Sequence, residues 1–243
     1  MNIDNVHIIT IDHNEEFYKN CINRLRFLNI NNATIRFGGE KGSELHFIDK
    51  KNTYISVIDK STFKLYPNWR LPNSDNGFWN RDMTIGEIGC VISHIKAWAT
   101  HHSKSLYPVL ILEQDFNPLF NVNWDVFNEV DNYDWDLILI GRRPLDDNDE
   151  EVGLNYFVKP GYSYQAHAYI LSKQGLDKIY KAIKNTLKNN LIPTDEFLPA
   201  LYSTHPRPDI DKMYPNKINA LALRIDAVSQ TDWEGTGRSR TAP

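Results

Sequence analysis

Four apolar residues in a row, Val109-Leu110-Ile111-Leu112, stop abruptly at Glu113-Gln114-Asp115. A continuous apolar run of this length, entered at Pro108 and left through two carboxylates, predicts a strand buried on both faces, as in a parallel sheet covered by helices. A second run, Leu137 to Ile140, ends in Gly141-Arg142-Arg143. Between and around these runs the apolar spacing turns helical. Phe17, Cys21, Leu25 and Leu28 predict a helix over Glu15 to Leu28. Ile88, Val91, Ile92, Ile95 and Ala99 predict another from a Thr84–Glu87 capping box to about His102. Further strands are expected at Val6 to Asp12, Ala33 to Phe37, Tyr164 to Leu171 and Leu221 to Val228. Helices are expected from Trp124 to Asp131, from a Ser172 cap to about Lys188, and from a Thr194 cap to Tyr202. The alternation implies an α/β fold, a mixed sheet flanked by helices. Residues 43 to 80, with Pro67, Pro72 and the Asn73 to Gly77 cluster, read as loop with short elements, and the segment from Ser203 to Asn216 as Pro-rich loop. At 243 residues and 41% apolar content, residues 1–243 suit a single domain, with a mobile polar tail over 232–243.

Ligands of open α/β sheets bind outside the carboxyl ends of the strands. Glu113 and Asp115 are therefore expected where a ligand sits. Two carboxylates at i and i+2 suit a hard divalent cation, magnesium or manganese, which in turn holds a diphosphate. A strand followed by a polar turn would carry the same residue types for a purely structural reason. In an extended segment Glu113 and Asp115 point one way and Gln114 the other. Arg142 ends the second buried strand, where a guanidinium can meet phosphate or serve packing. The helix opened by Thr84 carries a stripe of small residues, Gly86, Gly89, Cys90 and Ser93, which lets something approach its axis: another part of the chain, or a ligand. His94 lies near its middle. Asp195 and Glu196 are ordinary first-turn residues that favour the helix dipole, and equally a pair from which a general base can be drawn. The acidic segment Asp146 to Glu151 reads as a solvated loop. A net charge of −4 gives no support for nucleic-acid binding. Cys21 and Cys90 lack zinc-ligand spacing in sequence and are expected as buried thiols. No run is long enough to span a bilayer, and neither a signal peptide nor an ER-retention ending is seen. A soluble, cytoplasmic protein is expected.

In order and spacing, the blocks Thr84-Ile-Gly-Glu-Ile-Gly-Cys-Val-Ile-Ser-His94, Leu110-Ile-Leu-Glu-Gln-Asp115, Asp134-Trp-Asp-Leu-Ile-Leu-Ile-Gly-Arg-Arg143, Tyr162 to Ser172 and Pro193-Thr-Asp-Glu-Phe-Leu-Pro199 resemble glycosyltransferase family 25. His205-Pro206 and Tyr66 to Pro72 resemble its procollagen galactosyltransferase branch. The resemblance implies a GT-A-type domain that uses a UDP-sugar and manganese, with magnesium as the alternative ion. Glu113 and Asp115 would hold the metal. Thr10, Asp12, Gly39, Lys41, Gly86, Glu87, Ser93, His94, Gln114 and Arg142 would serve the donor, and Asp195 and Glu196 the chemistry. The implied reaction moves galactose or glucose from UDP-galactose or UDP-glucose to a collagen-like acceptor, on hydroxylysine or galactosyl-hydroxylysine. Two features depart from the pattern. Gln114 stands where the family carries a third acid, and the Arg-rich segment after the first strand is replaced by Asp12-His-Asn-Glu-Glu16. These departures keep two alternatives open: a transferase of lipid-linked or cell-surface glycans, and an inactive relative that acts by binding. The resemblance leaves the oligomeric state open.

Overall fold

The computed structural model describes residues 1–11, 14–48, 52–145 and 147–230. The chain opens with β1 (Asn5–Ile9), α1 (Glu15–Phe27) and β2 (Thr34–Gly38). Three short strands follow, β3 (His46–Ile48), β4 (Thr53–Ile55) and β5 (Thr62–Lys64), and pair antiparallel into a small separate sheet. Short elements were expected in this segment; their pairing was not legible. Helix α2 (Ile85–Lys104) comes next, then β6 (Val109–Glu113), β7 (Phe116–Pro118), β8 (Leu137–Pro144), β9 (Glu150–Glu151), β10 (Phe157–Lys159) and β11 (Ser163–Leu171). The chain continues through α3 (Lys173–Asn185), α4 (Thr194–Tyr202) and α5 (Pro208–Met213) to β12 (Ala220–Leu223) and β13 (Val228–Gln230).

Eight strands form one mixed sheet in the order β2-β1-β6-β11-β8-β12-β10-β9. β2, β1 and β6 run parallel, β11 lies antiparallel between β6 and β8, and β12 is parallel to β8. One face packs under α2, α3 and α4, around Trp98, Ile111, Tyr169 and Phe197. The other packs around Leu25, Leu110, Phe127 and Ile138. The fully buried strand predicted at residues 109–112 is there, with every one of its residues sealed from solvent. This is the mixed α/β sheet flanked by helices expected from the pattern, consistent with the GT-A-type domain that the resemblance implies.

Several expected boundaries moved for identifiable reasons. The Trp124 segment is a 3-10 helix (Trp124–Val130) opened by an Asn123 cap rather than an α-helix. Pro208 opens the missed helix α5, in the first-turn position that proline tolerates. The run predicted as one strand from Leu221 to Val228 is two, β12 and β13, in different sheets. The acidic segment is not simply solvated: Asp149 pairs with Arg142, and Glu151 pairs with Arg224 on the edge strand β9. Thr194 does not cap α4, because Pro193 occupies the cap position and the helix starts at Thr194 itself. The expected tail, 232–243, and Asp12 lie outside the described residues.

Candidate active site

The carboxyl ends of β1 and β6 lie side by side, Ile9 opposite Glu113. β6 stops at Glu113, and the chain turns through Gln114 and Asp115 into β7. The strand alternation expected across residues 113–115 therefore does not apply. Glu113 reaches towards α2. There its Oε1 accepts from His94 Nε2 at 3.0 Å and from the Cys90 thiol at 3.4 Å, and its Oε2 accepts from Gln230 Nε2 at 3.2 Å. Gln114 turns the other way, its Oε1 accepting from Thr10 Oγ1 at 3.0 Å and from the Ile11 amide at 3.4 Å. Asp115 occupies the turn, half-buried.

The partners of Glu113 are positioned by sequence features that are visible singly. Cys90 and His94 are one helical turn apart on α2, whose start is fixed by the predicted Thr84–Glu87 capping box. Gln230 arrives because β13 pairs with β7, with Gln230 opposite Phe116. His94 is oriented from behind. The Trp98 indole donates to the Tyr169 hydroxyl at 2.9 Å, and that hydroxyl lies 2.7 Å from His94 Nδ1. With its oxygen accepting from Trp98, the phenol directs its own proton to Nδ1, which leaves Nε2–H to face the Glu113 carboxylate. Burial pushes the Glu113 carboxyl up, but its interactions with His94, His167 and Cys90 outweigh it and hold the group below its ordinary range. Burial and the Glu113 charge push the Cys90 thiol up.

Cys90 Sγ, His94 Nε2 and a Glu113 oxygen lie within 4.8 Å of one another, the one His/Cys/acid grouping among the described residues with metal-site geometry. Sequence spacing had set Cys90 aside as a ligand, because its closest partners come from the next helical turn and from a strand 23 residues on. A thiol held protonated is a poor ligand for a hard cation. A hard cation takes oxygen ligands, and of this grouping Glu113 alone offers one.

Asp195 and Glu196 open α4 and fare differently. Asp195 is half-buried, and its Oδ1 accepts from the Ala166 amide at 2.9 Å. Burial, followed by the negative charge of Glu113, pushes its carboxyl up to about 7. The Ala166 amide is turned towards it by an irregularity in β11 between Tyr164 and Ala168, at which Gln165 adopts φ 70°. A glutamine in the left-handed region marks a backbone over-determined by its surroundings, and such residues cluster at functional sites. Gln165 also lines a water-sized cavity of about 10 Å³ together with Asp195 and Arg142. Glu196 is completely buried and accepts four hydrogen bonds. Trp79 Nε1 and the Tyr164 hydroxyl, both at 2.8 Å, meet one oxygen, and the Tyr162 hydroxyl and His205 Nε2, both at 2.6 Å, meet the other. The Arg207 amide donates to His205 Nδ1, so the Nε2 proton faces Glu196.

The remaining expected donor residues divide. Gly39 sits where a Cβ would lie 2.5 Å from the Thr10 carbonyl, so Thr10 and Gly39 meet directly beside Gln114. Glu87 instead completes the capping box and pairs with Arg81. Lys41 pairs with Glu44 on the surface. Arg142 is buried and its guanidinium is engaged by Asp149. Within the small-residue stripe, what approaches Gly89 is the chain's own turn. A Cβ there would lie 2.8 Å from the Glu40 carbonyl, and Ser93 Oγ accepts from the Glu40 amide at 2.7 Å. Gly86 lies in the first turn of α2, half-buried. His167 was not singled out from the sequence. It is buried, donates to the Val228 carbonyl, and is close enough to Glu113 to help lower that carboxyl.

A family model described as glycosyltransferase family 25 (LPS biosynthesis protein) matches residues 48–151. A glycosyltransferase 25 family member of Drosophila melanogaster is 37% identical over 153 residues, 60% of this chain and 24% of the relative. Over these stretches the chain is similar to glycosyltransferase family 25. Procollagen galactosyltransferase 1 of Danio rerio is 30% identical over 178 residues, 70% of this chain and 28% of that protein. Inactive glycosyltransferase 25 family member 3 of Mus musculus is 30% identical over 197 residues, 77% of this chain and 32% of that protein. The chain spans between a fifth and a third of the length of the curated relatives it matches. No helix among the described residues is long and apolar enough to cross a membrane.

Proposed function

We propose that this chain forms one glycosyltransferase domain that uses a divalent cation, manganese or magnesium, to transfer galactose or glucose from a UDP-sugar to hydroxylysine or galactosyl-hydroxylysine of a collagen-like acceptor. The observation that carries the reading is Asp195: a half-buried carboxyl held near pH 7 beside Glu113, at the carboxyl-end cleft of an α/β sheet. A general base works best with a pKa near the working pH. Asp195 Oδ1 is fixed by the Ala166 amide, leaving the carboxylate to accept the acceptor hydroxyl proton as that oxygen attacks the anomeric carbon. Glu113 and Asp115 hold the cation, whose positive charge neutralises the diphosphate as it leaves. Thr10, Gly39 and Gln114 bind the donor, and His94 fixes the Glu113 carboxylate. The acceptor class is supported by the likeness to a relative named procollagen galactosyltransferase.

Relatives named inactive favour a second reading, a binding protein on the same fold. Hydrolysis and transfer assays with UDP-galactose and UDP-glucose, with hydroxylated and galactosylated collagen peptides, separate the two. The expected outcome is manganese-dependent turnover of one donor, blocked reversibly by EDTA and abolished in Asp115→Ala with the fold intact. No turnover of either donor under any of these conditions would overturn the collagen-directed transferase.

A further inference from the structure

Two of the donors that meet the Glu113 carboxylate are themselves metal ligands once their protons are gone. Cys90 Sγ and His94 Nε2 aim at the same oxygen, Glu113 Oε1, from 3.4 and 3.0 Å, and all three atoms lie within 4.8 Å of one another. A tetrahedral zinc ion, bonded at about 2.0–2.3 Å, sets its ligand atoms roughly 3.3–3.8 Å apart, so both contacts to Oε1 are within about 0.4 Å of those of a bound ion. The scaffold holds them there. Cys90 and His94 stand one turn apart on α2, whose start the capping box fixes, and Glu113 ends a strand whose first four residues are sealed. The His94 ring is braced from behind by the Tyr169 hydroxyl, which is braced in turn by the Trp98 indole. Ligating histidines are commonly held by a hydrogen bond at the other ring nitrogen. Access is from one side: the His94 side chain is sealed, whereas 19% of the Glu113 side chain is exposed and Cys90 is half-buried. Thiolate and imidazole favour zinc over manganese or magnesium.

We propose that Cys90, His94 and Glu113 form a zinc site, and that zinc and the hard cation exclude each other because both need Glu113. The ion takes the place of two protons. The Cys90 thiol loses its own to solvent. The His94 proton passes from Nε2 to Nδ1, whose hydrogen bond with Tyr169 reverses, so that the phenol oxygen accepts from both Trp98 and His94. Zinc(II), a thiolate, a carboxylate and a neutral imidazole sum to zero charge, which suits a half-buried position. Water completes the tetrahedron. The zinc site does not depend on transferase activity; the exclusion rests on the proposed use of a hard cation at Glu113.

The test uses cobalt(II) as a spectroscopic stand-in for zinc on the full chain. An equimolar amount should give a thiolate-to-cobalt charge-transfer band with tetrahedral d–d bands, all erased by equimolar zinc. The charge-transfer band should be lost in Cys90→Ser and kept in Cys21→Ala, which removes the other cysteine of the chain. His94→Gln should weaken cobalt binding at least about tenfold. No charge-transfer band in the unmodified chain overturns the zinc site, and so does a band that Cys90→Ser retains or Cys21→Ala loses. If Cys90→Ser does not fold, Cys21→Ala alone decides which thiol binds. The exclusion is read from the electron paramagnetic resonance of manganese. Zinc should release manganese bound in the presence of UDP, and Cys90→Ser should raise the zinc concentration needed at least about tenfold. Manganese that stays bound while zinc is seated overturns the exclusion. A chain that binds cobalt and zinc but no manganese overturns the hard-cation reading and the exclusion with it, while the cobalt band still assigns the zinc site.

Discussion

Asp195 and Glu196 are consecutive carboxylates on one helix turn, yet they sit in opposite circumstances. Glu196 is sealed, and four donors, from Trp79, Tyr162, Tyr164 and His205, fill its acceptor sites. Asp195 has the Ala166 amide, a half-buried position and the negative charge of Glu113 nearby. A satisfied charge holds structure: Glu196 ties the 66–82 segment, β11 and the loop before α5 to the start of α4. An under-satisfied one keeps its proton affinity high and is available for chemistry. The α4 backbone gives both residues the same local setting, so the difference comes entirely from what the rest of the fold brings to each.

The largest effect expected of any substitution at this pair is on turnover. If the division of labour holds, Asp195→Asn lowers kcat by about 10² to 10⁴-fold while donor affinity changes little. The same variant should be more heat-stable than wild type at pH 8. The sign follows from the raised carboxyl pKa: the folded chain holds the Asp195 proton up to about pH 7, whereas the unfolded chain releases it near pH 4. Stability from this group is therefore lost as pH rises between those values, and the amide removes that loss. A drop in Tm at pH 8 with unchanged kcat would reverse the roles of the two acids.

Glu196→Gln strikes the other half of the pair. Its amide nitrogen cannot accept from the two donors that face it, and the cost expected is on the order of 2–4 kcal/mol of folding stability, measurable by denaturant unfolding. The variant that remains folded should keep its pH–rate profile. A shifted profile without destabilisation would make Glu196 the reactive acid.

Glu113→Gln sharpens the electrostatic side. After burial, the Glu113 charge is the largest influence raising the Asp195 carboxyl. Removing it should move the acid limb of the pH–rate profile to lower pH, whatever the height of the residual rate. A limb that stays near pH 7 would mean that burial, with the Glu196 and Glu87 charges, sets the Asp195 pKa without Glu113.

The smallest effect is expected at Gln114. Its side chain is turned to Thr10 and Ile11 rather than to the Glu113 carboxylate. Gln114→Asp should leave metal dependence unchanged and alter the preference between UDP-galactose and UDP-glucose by less than about tenfold. A large gain of metal-dependent activity would instead identify Gln114 as a lost ligand.

What the sequence showed, and what it did not, follows the same line between local and long-range causes. The buried β6, the α2 capping box and the α1 stripe depend on neighbours a few residues away, and all appear as expected. So does the position of Glu113 at a strand end. The turn at Gln114–Asp115 was one of two readings the sequence left open; the pairing of β7 with β13 that follows it, more than a hundred residues apart, was not legible. The Arg142–Asp149 pair and the Trp79–Glu196 bond are likewise products of tertiary packing. The small stripe on α2 was read correctly as a close approach, but only the fold shows that the Glu40 to Gly42 turn makes it at Gly89. The family blocks contain both Asp195 and Glu196, and nothing in their order shows that Tyr162, Tyr164, Trp79 and His205 would converge on the second.

The most direct test is the pH dependence of transfer by the unmodified chain from pH 5 to 9, at saturating manganese and UDP-sugar. With Asp195 as the base, the rate should be level at high pH and fall by about tenfold per unit well below the Asp195 pKa, which is about 7 in the metal-free chain and is drawn lower by a cation held at Glu113. A rate that stays level down to pH 5 would contradict the assignment.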